Sequence, residues 1–299
     1  MHGGDSRAGG VAETMTAMGT STGPRGAAVD IEEHQRFTGE LARLAERTGD
    51  PGLAALAAGV RAPVQIAVCG RRGVGRRTVR AALAAGGLAV LGDDGPDAPA
   101  DVTVYVVAEA VKPEDMQSVT EATAGQPGRP VLVVLNKTDV PGHADAAEVS
   151  AVLGAPVLAM SALLALGWRL DDELWAALRG LADQPGDLRC PESFVTGEHP
   201  VAQRVRERLC ATLDLPSLQR VLDVVGYGGS KEQACGLLYR LSGLDGVMAR
   251  LEDVSVDTRA RRIAQAAIRV EAMGVGHASA DRIDEFLMRH RIKTAQAMS

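Results

Sequence analysis

Apolar positions repeat with a helical period at the start of the chain. Between Asp30 and Arg47, the side chains of Ile31, Phe37, Leu41 and Leu44 fall near one face, and Gly49, Asp50 and Pro51 end the pattern. A short Ala/Leu helix is expected next, over about 52–59. The period then shortens. Val64-Gln-Ile-Ala-Val-Cys69 is a β-branched run ending in glycine, and helical sequence follows from about Arg76 to Ala85. Further strand-like runs occur at Val102–Ala108, Pro130–Leu135 and Pro156–Met160, with helix-compatible sequence at about 113–124, 144–152 and 171–183. Strands alternating with helices predict βα units, hence an α/β fold with a mostly parallel sheet flanked by helices on both faces.

Beyond about residue 190 the strand pattern disappears. Val201, Val205, Leu209 and Leu213 repeat every four residues, and Leu218, Val221, Leu222 and Val225 make a second apolar face. Gly226-Tyr-Gly-Gly229 reads as a turn, and Ser230 with Gln233 matches a capping box for a helix carrying Leu237, Leu238 and Leu241. Helices at about 257–273 and 280–291 complete an all-α C-terminal region. Pro185, Gly186, Pro191 and Pro200 mark a boundary. The expected organisation is a Gly/Ser/Thr/Ala-rich disordered tail over 1–28, a sheet domain with its preceding helix over 29–185, and a helical domain over 186–299.

Composition narrows the possibilities. With 46% hydrophobic and 23% charged residues, mean hydropathy near zero and a net charge of −6, the 299-residue chain has an ordinary globular make-up. The acidic balance gives no reason to expect nucleic acid, and aromatics at 3% are too few for base-stacking platforms. Cys69, Cys190, Cys210 and Cys235 show no CxxC pair and no zinc spacing, so a reduced, cytoplasmic chain is expected. Val149–Trp168 carries no charge and is long enough to span a bilayer, but Gly154, Pro156 and Gly167 divide it into a helix end, a turn and a strand. No transmembrane segment is expected; peripheral membrane association stays open.

The sharpest local feature is Gly70-Arg-Arg-Gly-Val-Gly75-Arg76-Arg77-Thr78, after a strand and opening a helix. Glycines let backbone N–H groups curl around phosphate oxygens, and a helix N-terminus adds a favourable dipole. The usual Gly-Lys-Ser/Thr ending is missing: Arg76 stands at the lysine position, Arg77 at the hydroxyl position, and Thr78 one residue late. Arginine pairs with phosphate, but at the hydroxyl position it sets a cation where Mg²⁺ would bind. The alternative is a plain glycine-rich strand-to-helix turn. Gly70, Gly73 and Gly75 do not keep dinucleotide-binding spacing.

A second feature lies downstream. Val131-Leu-Val-Val-Leu135 runs into Asn136-Lys137-Thr138-Asp139, and the next strand ends at Ser161-Ala162. Asn-Lys-x-Asp behind a buried strand resembles the guanine-recognition motif of Ras-like and dynamin-like GTPases, and Ser-Ala resembles their second base-contacting loop. Together with Arg61-Ala-Pro-Val-Gln-Ile-Ala-Val-Cys-Gly-Arg-Arg-Gly-Val-Gly and Gly87-Leu-Ala-Val-Leu-Gly92, the chain over about 30–165 is similar to the opening of bacterial dynamin-like and related actinobacterial GTPases. The resemblance implies a P-loop NTPase-like sheet that binds GTP or GDP. In it Asp139 would accept from guanine N1–H and the exocyclic amine, Asn136 would brace the loop or the base, Lys137 would cover the ring, and the Ala162 N–H would face O6.

The chain also departs from that pattern. Such domains place two strands and two switch segments, with a threonine and DxxG that hold Mg²⁺, where this chain has Gly86–Ala100. That is about fifteen residues, against roughly fifty expected when a strand alone takes about five. Asp93-Asp94-Gly95-Pro96-Asp97 has the wrong spacing for DxxG, and Asp223-Val-Val-Gly226 lies in the helical half. The expectation is a guanine-nucleotide-binding protein with an eroded switch and Mg²⁺ site and weak or no GTP hydrolysis. It would act as a regulatory or assembly subunit beside a protein partner, a competent GTPase by family analogy. Two alternatives stand. One is an active atypical GTPase using Arg76, Thr78 and Asp93 or Asp94; the other is an interaction scaffold with a vestigial nucleotide site. Arg71, Arg72, Arg76, Arg77 and Arg80 form a basic run that grips phosphates, binds an acidic partner or is merely solvated. Arg259, Arg261, Arg262 and Arg269 read as a solvated helix face. His34, His143, His199, His277 and His290 are isolated, and Ser161 has no triad partner, so none is assigned catalysis.

Overall fold

A computed structural model describes residues 24–92, 100–125, 129–139 and 145–294. Five strands, β1 (Gln65–Gly70), β2 (Ala89–Val90), β3 (Val102–Ala108), β4 (Val131–Asn136) and β5 (Val157–Ala159), make one sheet in the order β2-β1-β3-β4-β5, every neighbouring pair parallel. The α/β class with a helical C-terminal region is therefore what the chain adopts. The central β3, Val-Thr-Val-Tyr-Val-Val-Ala, is buried at every residue, as a strand covered on both faces must be.

Side chains alternate between two cores. Ile66, Val68, Val104, Val106 and Val134 face α3 (Arg76–Ala85), α6 (Ala162–Gly167) and the first half of α12 (Leu244–Gly274), meeting Val79, Leu83, Ala165, Leu244, Val247 and Leu251. Tyr105, Val107, Val133 and Leu135 face the other way, onto Val119 of α4 (Pro113–Gly125) and Val149 of α5 (Ala146–Leu153). Each fully buried aliphatic side chain contributes about 1.5–3 kcal/mol to such a core.

A third core joins α7 (Asp172–Asp183), α8 (Pro191–Thr196), α9 (Gln203–Thr212), α10 (Leu215–Gly226) and α11 (Lys231–Leu241) through Leu178, Leu181, Phe194, Leu209, Leu218 and Leu238. The boundary expected at 185/186 falls between α7 and α8, and this core draws on both sides of it. The Pro/Gly-rich stretch around it is ordered: Phe194 is fully buried, and the buried Arg206 guanidinium donates to the carbonyls of Val201, Phe194 and Gly197. Ser230 and Gln233 form the expected capping box on α11.

The fourth core packs α1 (Pro24–Thr48) and α2 (Pro51–Arg61) against the second half of α12 and α13 (Ala280–Thr294), through Phe37, Leu41, Leu44, Leu53, Val270, Ile283 and Phe286. Two of the isolated histidines, His277 and His290, fasten this bundle. His277 Nδ1 accepts from the Ser279 N–H, so Nε2 carries the proton and donates to Asp50, which itself caps α2. His290 meets Glu40 at 3.1 Å.

The helix expected over 257–273 begins instead at Leu244, because Leu244, Val247, Leu251 and Val254 continue a three-four apolar spacing across the sheet. Three of its arginines are engaged rather than merely solvated: Arg262 donates to the Ala62 carbonyl and pairs with Asp101 at 2.6 Å, Arg259 pairs with Glu252, and Arg261 donates to Thr258, while Arg269 is exposed. The uncharged Val149–Trp168 resolves into α5, β5 and α6, and among the described residues no helix is long and apolar enough to cross a membrane. All four cysteines are free. Residues 1–23, Asp93–Asp97 and His143 lie outside the described residues; the last part of the expected tail, residues 24–28, is not a tail but the first turn of α1.

Arg206→Ala orphans three carbonyls and should lower the unfolding free energy by about 2–4 kcal/mol in urea titration. His34 in α1 has its Nδ1 buried without a partner among the described residues, and burial, then Arg259 and Arg262, hold its pKa below the ordinary 6.5. The unfolded chain therefore takes up this proton first. His34's contribution is complete above about pH 6.5 and is lost as the pH falls through the depressed folded value. Between about pH 7 and 5 the loss of stability should be shallower in His34→Gln than in the unaltered protein.

Candidate functional site

Strand β1 has β2 on one side and β3 on the other, so the connection leaving its carboxyl end sits at the point where strand order reverses. In open parallel sheets, ligands bind at this crevice. The glycine loop occupies it. Gly70 has φ +138°, and a Cβ there would lie 2.4 Å from the Val106 carbonyl oxygen, so β1 leaves the sheet tight against β3. Gly75 has φ +90° and forms the N-cap of α3, and among the described residues no side chain caps the N–H groups of Arg76, Arg77 and Thr78 behind it. Val74 anchors the loop in the core. Arg72 and Arg77 are exposed, while Arg76 and Thr78 are half-buried.

Asn136, the last residue of β4, lies beside Ala108 of β3 and is 3% exposed. Its Nδ2 donates to the Val74 carbonyl at 2.8 Å, and its Oδ1 accepts the Ala162 N–H at 3.0 Å. One buried amide thus ties the glycine loop to the Ser161-Ala162 turn. A Cβ on Gly75 would sit 2.4 Å from Asn136 Nδ2, so glycine is needed here for space as well as for backbone angle. Ser161 is fully buried and caps α6 by accepting the Leu164 N–H, while its own N–H donates to the Ser242 carbonyl at 2.8 Å. The Ala162 N–H therefore does not face outward toward a base oxygen as expected: Asn136 already binds it.

Lys137 and Glu109 follow the paired Ala108 and Asn136 and both lie in the left-handed region, at φ +66° and +65°. Such a conformation costs a non-glycine residue about 1–2 kcal/mol. Their side chains meet at 3.9 Å in an exposed pair that contributes little. The Thr138 N–H reaches the Met160 carbonyl, fixing the turn that carries Asp139. Among the described residues, no donor reaches the half-buried Asp139 carboxylate.

The basic run is divided. Arg71 does not join the others: its Nε binds both oxygens of Asp115, a carboxylate with no exposed surface. Arg76 and Arg80, with Arg129, lie close enough to Cys69 to draw its thiol pKa down, but burial outweighs them and pushes it up. Among the described residues, no group of three His, Cys, Asp or Glu side chains could hold a metal. Asp115, Tyr105, Glu109 and Ser242 were not foreseen. For Asp115 a signal existed: Lys112-Pro113-Glu-Asp115 places proline and an acid in the first turn of a helix.

Compared with models of known protein families and with curated proteins, the chain matches none. What the structure establishes is the α/β class, with a five-stranded parallel sheet compatible with a P-loop-like domain.

Gly73 and Gly75 share a positive φ, but a Cβ on Gly73 would meet open space. Gly75→Ala should therefore destabilise by about 1–3 kcal/mol more than Gly73→Ala, and Asn136→Ala should shrink that difference in a double-mutant cycle read by urea unfolding.

Proposed function

We propose that this protein binds a guanine nucleotide at the carboxyl edge of its sheet and serves as a regulatory or assembly subunit rather than as an efficient GTPase. The observation that carries the reading is the Asn136 amide, which joins the glycine loop to the Ser161-Ala162 turn beside Asp139. Phosphates fit the glycine loop, where positive-φ glycines, the open N-terminus of α3, Arg72, Arg76 and Arg77 offer N–H donors and positive charge. The base fits the Asn136–Asp139 turn, where Asp139 accepts from the guanine edge. With Ala162 already bonded to Asn136, guanine selectivity falls mainly on Asp139.

The residues fit Mg²⁺ poorly. Arg77 stands at the hydroxyl position and its side chain reaches solvent at the start of α3, so a divalent cation there meets positive charge. Phosphoryl transfer depends on Mg²⁺ and a positioned water to neutralise and orient the reacting groups. Hydrolysis is therefore assigned to a competent GTPase partner, by analogy with the dynamin-like proteins that the sequence resembles.

Titration calorimetry and thermal shift with GDP, GTP and ATP, each with and without Mg²⁺, test this. A guanine nucleotide at a hundred times its dissociation constant should add about 2.7 kcal/mol of stability. GDP and GTP should bind with or without Mg²⁺, ATP should not, and Asp139→Ala should abolish the preference. ATP preference or strict Mg²⁺ dependence would overturn the proposed division of the site, and the absence of any shift would favour the scaffold.

A further inference from the structure

The glycine loop carries three glycines at positive φ, a backbone with many alternative conformations. Arg71 restrains it. Its Nε lies 2.9 and 2.8 Å from the two oxygens of Asp115, and its Nη2 reaches the Ala110 carbonyl at 3.4 Å. Asp115 also accepts the Tyr105 hydroxyl at 3.1 Å and the backbone N–H of Lys112 at 3.0 Å, so β3 and the residue preceding α4 hold the carboxylate independently of Arg71. The Arg71 side chain is 21% exposed and that of Asp115 is 0% exposed. Burial raises the Tyr105 pKa, which keeps the phenol protonated and able to donate.

We infer that Asp115 and Tyr105 are positioning residues for the glycine loop, acting through Arg71, which they withdraw from the set of phosphate-contacting cations and use as a clamp. Val74 pins one side of the loop in the core and Arg71 pins the other against the β3–α4 junction. The stretch between them is left with its N–H groups presented to a ligand. Of the loop arginines, Arg72, Arg76 and Arg77 remain for the anion. The effect on nucleotide affinity rests on the function proposed above; the effect on loop order does not.

The test replaces the whole polar cluster with apolar groups of similar size, Arg71→Met with Tyr105→Phe and Asp115→Leu, because removing one partner alone would strand a buried charge. Urea unfolding establishes that the variant folds. Hydrogen exchange of the backbone amides over 72–78 should then be about tenfold faster than in the unaltered protein, while amides within β3 and β4 keep their rates. GDP, measured by calorimetry, should bind about tenfold more weakly, and Arg71→Lys, which retains the charge and one contact, should fall between. Unchanged loop exchange in the folded variant overturns the clamp. If the unaltered protein binds no GDP, the nucleotide reading fails, and loop exchange still decides the clamp. Should the triple variant not fold, Tyr105→Phe alone removes one hydroxyl and should accelerate loop exchange about two- to threefold; no acceleration overturns the inference.

Discussion

Two loops from distant parts of the sequence each leave a buried backbone group facing the end of β4. Val74 presents a carbonyl and Ala162 an N–H, and a polar group of either kind left unpaired in the interior costs about 1–3 kcal/mol. The Asn136 amide supplies both missing partners at once. A carboxylate lacks the donor and a lysine lacks the acceptor. Around this contact the remaining geometry falls into place: Gly75 must lack a side chain, Ser161 must begin α6, and the turn through Lys137 to Asp139 must leave β4 in a left-handed step.

The same edge of the sheet is buttressed from the helical part of the chain. Ser242, fully buried, accepts the Ser161 N–H, and at Gly243 a Cβ would stand 2.4 Å from the Ala159 carbonyl oxygen. The joint between α11 and α12 is pressed against the end of β5. From that joint α12 covers the sheet with Leu244, Val247 and Leu251, and its distal half forms one wall of the bundle with α1, α2 and α13. One helix thus belongs to two cores, and neither closes without it.

Much of this was legible in the sequence. Val102–Ala108, built of β-branched and aromatic residues, could hardly be anything other than a buried parallel strand, and the glycine loop and Asn-Lys-x-Asp turn stood out as punctuation between strand and helix. Other parts could not be read locally. β2 is two residues long and exists because Gln65 and Ile66 offer it an edge, which no local pattern reveals. Arg71 is locally indistinguishable from the other arginines of the basic run; what sets it apart is Asp115, far along the chain, which binds it. The Ala162 N–H looked free for a ligand because its acceptor comes from another strand. The early part of α12 did leave a trace, the three-four spacing from Leu244 to Val254, masked by the Ser-Gly-Leu-Asp-Gly sequence at its start. Periodicity reports which face is buried; side-chain pairing between distant segments is a property of the assembled sheet.

The continuous run of α12 has a mechanical consequence. At about 1.5 Å per residue, its 31 residues make a rod of about 46 Å, fixed at one end where Gly243 meets β5. A tilt of about 5° at that fulcrum displaces the far end by about 4 Å, most of a helical turn. Small rearrangements beside Ser161 would therefore reach α13 amplified, because a rod seated in two cores transmits angle rather than absorbing it.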